Sequence, residues 1–242
     1  MPAGDLLNGN NQVEIRDTLT GFGTSWLLAF EGVGGLGVPQ PKTGDTDLGH
    51  AAGAYFGRDY AGVRILTVPY VIRAPKATVG SLFRTLCGLW APSETNLPLH
   101  LQLPGGIGHI SVNGRPRGLA EDMSNLNVGL VRALATFVCG DPTILTPPSA
   151  PTIGTATAGA GTATFNWTPP ADWGGNVGSQ EVWLYQVSTG FHIATSNILG
   201  PSITTYTFTG RTAGVAVFGK VFGVNSVGRS PASANSNTVT PT

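Results

Sequence analysis

The sequence predicts an all-β protein, mainly β with one packed helix, built as two successive β-sandwich domains. Three observations predict it. The 35 glycines and 18 prolines are scattered through a chain of 242 residues that is still 41% hydrophobic, which suits many turns between buried strands rather than collagen or disorder. Apolar residues alternate with period two in most segments, whereas a helical stripe occurs once. Prolines then cluster near 142–148 and divide the chain into a larger first part and a part of roughly 95 residues, an ordinary size for a sandwich.

Charge and termini exclude several classes. Charged residues make up only 11% of the chain and balance at 13 against 13, so no net field attracts nucleic acid or an anionic membrane. A near-neutral surface has little colloidal repulsion, which favours packing into an assembly. Residues 1–11 are polar and lack the basic start and apolar core of a secretory leader. No apolar run reaches the ~18–20 residues of a membrane span. The expectation is a soluble protein, without membrane insertion and not exported by a cleavable signal of its own.

Along the first part, Val13-Glu14-Ile15-Arg16 alternates like a half-buried strand, and Gly21 to Thr24 reads as a turn. Trp26 to Phe30 is a strongly apolar strand, and Glu31 to Gly37, with four glycines, must be a loop. Val63, Ile65 and Thr67 alternate in the run Val63–Arg73, where Pro69 implies an edge position or a bulge. Val79, Leu82, Phe83, Leu86 and Leu89 then fall on one helical face, predicting a helix over 77–89 that covers a sheet. Thr78 is placed to cap it and Ala91-Pro92 to end it. In 97–103 the leucines share one face with His100 and Gln102 on the other. Ile107 to Val112 reads as a strand closed by an Asn113-Gly114 hairpin turn, and Val128 to Cys139 as a long final strand. Three prolines in Asp141–Pro148 favour extended backbone and place a linker at 143–148, between domains at 1–142 and 149–242.

The motifs of residues 12–142 resemble, in order, those of the distal tail proteins, or minor tail proteins, of long-tailed bacteriophages. Asp17 to Thr24 is similar to their opening turn and Glu31 to Pro39 to their glycine loop. His50-Ala51-Ala52-Gly53-Ala54, with Ala52 shifted or extra, Arg58 to Thr67, Leu97 to Leu101 and Gly114 to Gly118 follow in sequence. The resemblance implies a ring-forming protein, commonly hexameric, between the tail tube protein and the tail hub or baseplate. DNA would cross its central channel without specific binding. Exposed strand edges are templates for strand addition, and closing a ring satisfies them together.

The second part resembles a fibronectin type III module. Pro148 to Pro151 opens it, Ala163 to Trp167 gives a strand with Trp167 at the buried tryptophan position, and Pro169-Pro170 stop that strand. Tyr206 and Phe208 share a face, Val221, Gly223 and Asn225 match a later strand, and Ser233 to Thr240 close the domain. Two positions depart from the pattern: Val217 stands at the corner tyrosine and Gln180 at a strand tyrosine, so the corner hydrogen bond is expected to be missing.

The search for chemistry finds no reactive centre. His50, His100, His109 and His192 make no metal-ligand spacing and read as solvent-facing or interface groups, so no metal and no cofactor are expected. Cys87 and Cys139 sit in apolar surroundings and read as buried free thiols, with one disulfide as the alternative. Glu121 and Asp122 are adjacent and point different ways, so they are no acid–base pair. Gly32, Gly34 and Gly37 spell G-x-G-x-x-G, but Pro39 and Pro41 follow instead of a helix, which argues against a nucleotide. Arg115 and Arg117 form the one dense basic spot and are candidates for a subunit interface or channel, with Glu121 and Asp122 of a neighbour as partners. Trp173 and Trp183 are candidates for contact with a surface ligand such as a host-cell glycan.

The sequence therefore leads to a non-enzymatic virion protein, made in the host cytoplasm and carried at a phage tail tip. A tail tube subunit and a secreted carbohydrate-binding accessory module are the alternatives.

Overall fold

A computed structural model describes residue 7 and residues 11–21, 26–28, 32–39, 41–42, 46–47, 54–55, 60–105 and 107–242. Parts of the expected segments at 21–24, 26–30, 31–37 and 58–62, and the 50–53 part of the His50 motif, lie outside these residues. The chain divides into two compact units, Gly4–Ile144 and Leu145–Thr242. Among the described residues it is predominantly strand with one α-helix, an all-β fold.

The first unit contains β1 (Gln12–Ile15), β2 (Thr18–Gly21), β3 (Trp26–Leu28), β4 (Pro41–Lys42), β5 (Thr46–Asp47), β6 (Ala54–Tyr55), β7 (Tyr60–Ala61), β8 (Arg64–Arg73), α1 (Lys76–Leu89), β9 (Leu97–Leu103), β10 (Gly108–Asp122) and β11 (Leu130–Cys139). Seven strands make one antiparallel sheet in the order β2-β1-β9-β10-β11-β8-β3. Arg16 and Asp17 have φ of 51° and 53°, the left-handed pair that a two-residue hairpin between β1 and β2 requires. The sheet folds over because β10 changes partner midway: Gly108–Gly114 pair with β9 and Arg115–Asp122 with β11. A bulge at Arg117 sharpens the bend. The two edges, β2 and β3, lie beside each other. Val13, Leu99, Leu101 and Val112 from one half and Leu66, Val68, Ile72 and Phe137 from the other share one core.

Several expectations change here. Asn113-Gly114 is no hairpin turn but mid-strand, at the point where β10 passes from β9 to β11. A Cβ on Gly114 would lie 2.4 Å from the Val138 carbonyl oxygen, so the glycine serves close approach rather than a turn. Pro69 sits neither in an edge strand nor at a bulge: β8 lies between β11 and β3, with an unbroken register opposite Leu134. Pro69 stands one residue beyond Tyr70, the last described partner of β3, where a missing N–H breaks no described ladder. In β8 the buried face is Leu66, Val68, Tyr70 and Ile72, whereas Val63 and Ile65 are exposed. Strand β11 begins at Leu130, two residues later than expected, after a 3-10 turn at Leu126–Val128, and buries Val131, Ala133, Ala135 and Phe137 while Leu134 is exposed.

Helix α1 buries Val79 and Leu86 and lays Leu82, Phe83 and Leu89 against the core, as its stripe predicts. Burying a leucine such as Leu86 contributes roughly 2 kcal/mol. Thr78 does not cap the helix; the N-cap is Pro75, and the Thr78 hydroxyl donates to the Pro75 carbonyl from within the first turn. Arg64 is buried because its guanidinium donates to three carbonyls, those of Gly35, Gly37 and Pro142, which pins the glycine loop along β8.

The second unit contains β12 (Thr152–Ile153), β13 (Thr157–Gly159), β14 (Thr162–Thr168), β15 (Ser179–Gln186), β16 (His192–Thr195), β17 (Thr205–Phe208) and β18 (Val217–Val224). One sheet joins β12, β13 and β17 to β14; the other runs β16-β15-β18. Phe165, Trp167, Val182, Leu184 and Val221 form the core between them. The residues expected as a linker at 143–148 divide between the units: Thr143 and Ile144 fall in the first, and Thr146 is bonded to Gly174 within the second.

Residues 229–239 run along β18 with a different period. Ser230, Ser233 and Ser236, spaced by three, each donate a backbone N–H to Gly223, Val221 and Gly219, spaced by two, and accept the same residue's N–H on the side-chain oxygen. A hydroxyl thus replaces a carbonyl at each step, and the ladder ends in a Val217–Val239 bridge. The stretch expected to close the domain, Ser233–Thr240, thus takes part in an extended serine ladder that covers the edge of β18.

Candidate assembly and contact surfaces

All four candidate interface residues fall on the second half of β10, which pairs with β11 on one side only. Arg115 is half-buried and its Nε donates to Asn96 Oδ1 at 3.0 Å. Arg117 occupies the bulge and is exposed. Glu121 lies opposite Ala133 and is exposed, close enough to α1 that, after burial, its carboxylate is the second influence raising the Cys87 thiol pKa. Asp122 faces Arg132 across the ladder and accepts the Ser124 N–H at 2.9 Å. Hydrogen bonds from Ser124, and then Arg132, hold its carboxyl below the usual range. Both acids thus have neighbours within their own chain.

Sequence reasoning did not anticipate a buried polar layer on the outer side of β1, β9 and β10. His100 is only 2% exposed and His109 half-buried, so the solvent-facing reading of both is overturned. They are diagonal neighbours on paired strands, with ring centroids 5.8 Å apart. Among the described residues, neither ring nitrogen of His100, nor Nε2 of His109, has a hydrogen-bond partner. Burial lowers both pKa values, that of His109 to about 4 with the His100 charge adding; Glu14 and Asp17 oppose the shift at His100. Both imidazoles are neutral at pH 7. The alternation in 97–103 placed His100 on the face away from the leucines, but nothing in that pattern revealed that this face is covered too. Among the described residues no three His, Cys, Asp or Glu side chains stand close enough to hold a metal ion. His50 lies outside those residues, and His192 is exposed on β16.

The cysteines are both free, yet only Cys139 is buried, and burial pushes its thiol up to about 11. Cys87 is exposed, contrary to expectation, because it lies outside the apolar stripe of α1.

In the second unit the two candidate tryptophans differ. Trp173 is half-buried in a turn whose carbonyl accepts the Asn225 side-chain amide at 2.9 Å. Asn225 also donates to Thr146 and accepts the N–H groups of Val227 and Gly228, so it fixes three segments. Trp183 projects from β15 into a shelf of rings and cations. Its indole N–H donates to Glu181, which also takes the Arg229 guanidinium at 3.0 Å. Arg229 lies 4.7 Å from the Trp183 centroid, with His192 and Phe222 rings at 4.7 and 4.8 Å. Tyr185 stacks on Phe218 at 5.2 Å under the Lys220 ammonium. The shelf offers aromatic edges and two cations, but Arg229 already occupies a face of Trp183.

No described helix is long and apolar enough to cross a membrane. No family model and no curated protein matches the chain. Solved structures with a similar shape include the Dit protein of phage SPP1, described as a paradigm of the hub adsorption apparatus in phages infecting Gram-positive hosts. It matches with a TM-score of 0.45 and 13% identity over 87% of this chain and 77% of that one. A fibronectin-type-III-like protein from Clostridium thermocellum matches with a TM-score of 0.32 and 23% identity over 40% of this chain and 96% of that one. A titin module from human cardiac muscle matches with a TM-score of 0.31 and 28% identity over 39% of this chain and 89% of that one.

Proposed function

We propose that this chain is a non-enzymatic structural component of a bacteriophage tail tip, a distal tail ring protein carrying a fibronectin type III domain. The observation that carries the reading is the ordered motif series of residues 12–142, which resembles distal tail proteins from the opening turn to Gly118. Among the described residues its β-sandwich leaves the second half of β10 paired on one side only, and such an edge suits assembly with other chains. In this reading the first unit joins neighbours into a ring, a hexamer by resemblance, between the tube protein and the hub, and DNA passes through the centre. The second unit offers the Trp183–Arg229 shelf to a host-cell glycan.

Sedimentation of the purified full chain, alone and with its tail tube protein, tests the assembly step. A ring-sized species in either sample is the expected result; a monomer in both contradicts it. A glycan array probes the second unit: Trp183→Ala should abolish any binding found, while Trp173→Ala should leave it intact.

A further inference from the structure

Strand β10 presents a backbone edge that no other described segment uses. From Gly118 to Asp122 it pairs with β11 on one side, and these residues make no other backbone hydrogen bond to the described residues. Glycine, alanine and the two acids leave the backbone accessible, and Ala120, Glu121 and Asp122 are exposed. Charges, a proline or a bulge commonly blunt an edge, and Pro116 and the bulge at Arg117 end the regular pairing here, so the free stretch begins at Gly118. This edge carries both signs, placed evenly about its centre: Arg117 stands two residues before Leu119 and Glu121 two residues after.

That spacing selects a partner. If a second β10 pairs antiparallel about a two-fold axis through Leu119, Arg117 of each copy falls opposite Glu121 of the other, and Gly118 opposite Ala120. A parallel in-register pairing would instead set Arg117 against Arg117 and Glu121 against Glu121, which opposes it. The outer face beside the edge holds exposed apolar side chains next to the Asp122–Arg132 pair: Leu134, opposite Ala120, is 43% exposed, and Val128 at the hairpin end is 78% exposed. Two joined sheets would bring such side chains of both copies together.

We propose that the free half of β10 is a self-recognition edge, joining two copies of this chain by antiparallel strand pairing with Arg117 opposite Glu121. This rests on the reading of the chain as a self-assembling protein and adds a pairing contact to it. A two-fold contact closes on itself, so the edge makes a pair, and ring closure falls to a different surface.

The test uses the full chain in a Cys87→Ser background, which leaves only the buried Cys139. Cysteines are introduced singly as Gly118→Cys and Ala120→Cys; a Cβ at Gly118 meets nothing within 4 Å. The two proteins are mixed under mild oxidation. The proposed register yields a 118–120 mixed disulfide well in excess of either homotypic product. Equal products, a homotypic excess or no cross-link overturns it. In parallel, Glu121→Arg should cut the paired population at least tenfold at low salt, and Arg117→Glu with Glu121→Arg should restore it. Failure of the double variant to restore pairing, with an unchanged melting curve, also overturns the proposal. A chain that keeps its assembled mass while these edge tests fail retains the assembly reading and loses only this edge; a chain monomeric throughout loses both.

Discussion

A buried glutamine is tolerated only where its polar atoms are satisfied, and Gln180 meets that condition. It is fully buried, accepts the Trp167 indole N–H at 2.7 Å and donates to the carbonyls of Gly200, Pro201 and Ile203. The sequence comparison marked Gln180 only as a departure from tyrosine; its role as the tie between β14, β15 and the 199–203 loop depends on long-range contacts. Gln180→Leu leaves the indole and three carbonyls without this partner and should cost about 3 kcal/mol in a urea melt. The His100–His109 pair gives a second prediction. Burial holds the His109 pKa near 4, against 6.5 for a free imidazole, so the unfolded chain takes up a proton that the folded chain refuses. Stability should be unaffected by this group above pH 6.5 and should fall as pH drops from 6.5 toward 4. Glu14 and Asp17, facing His100, moderate the loss at that residue. His109→Gln should flatten this part of the profile, measured as melting temperature against pH.

Among the elements, the helix was the most legible, because five apolar positions at helical spacing leave one way to bury it. Leu86→Ala should destabilise the first unit by about 2–5 kcal/mol. Strands were legible as strands, but not always in phase. In β8 and β11 both sets of alternate positions include apolar residues, so composition alone could not choose Leu66 over Ile65 or Val131 over Leu130. The Asn113-Gly114 pair misled for a related reason: the same dipeptide suits a tight turn and a close crossing of strands, and only the approach of Val138 distinguishes them. The serine ladder escaped sequence reading because its period of three matches neither strand nor helix. It makes a sharp prediction all the same. Ser233→Ala removes the acceptor of the buried Val221 N–H and should cost about 1–3 kcal/mol, with faster amide exchange at Val221.

At the scale of the whole molecule, composition and the proline cluster were enough to read an all-β chain, and the contacts divide it into two units at Ile144 and Leu145. What the sequence could not carry was which strand edges remain free. That depends on the curl of the first sheet, which brings β2 and β3 beside each other and, among the described residues, leaves the second half of β10 paired on one side. The candidate residues Arg115, Arg117, Glu121 and Asp122 were chosen for their charge; their common place on that half-strand is a product of the fold. The account holds that such an edge and its surroundings serve assembly within a phage tail. Electron microscopy of intact virions, with a label fused at the C-terminus of this chain, tests that claim most directly. The expected result is label confined to a single ring at the tail tip, between the tube and the hub. Label repeated along the tube, or particles that contain none of this chain, would contradict it.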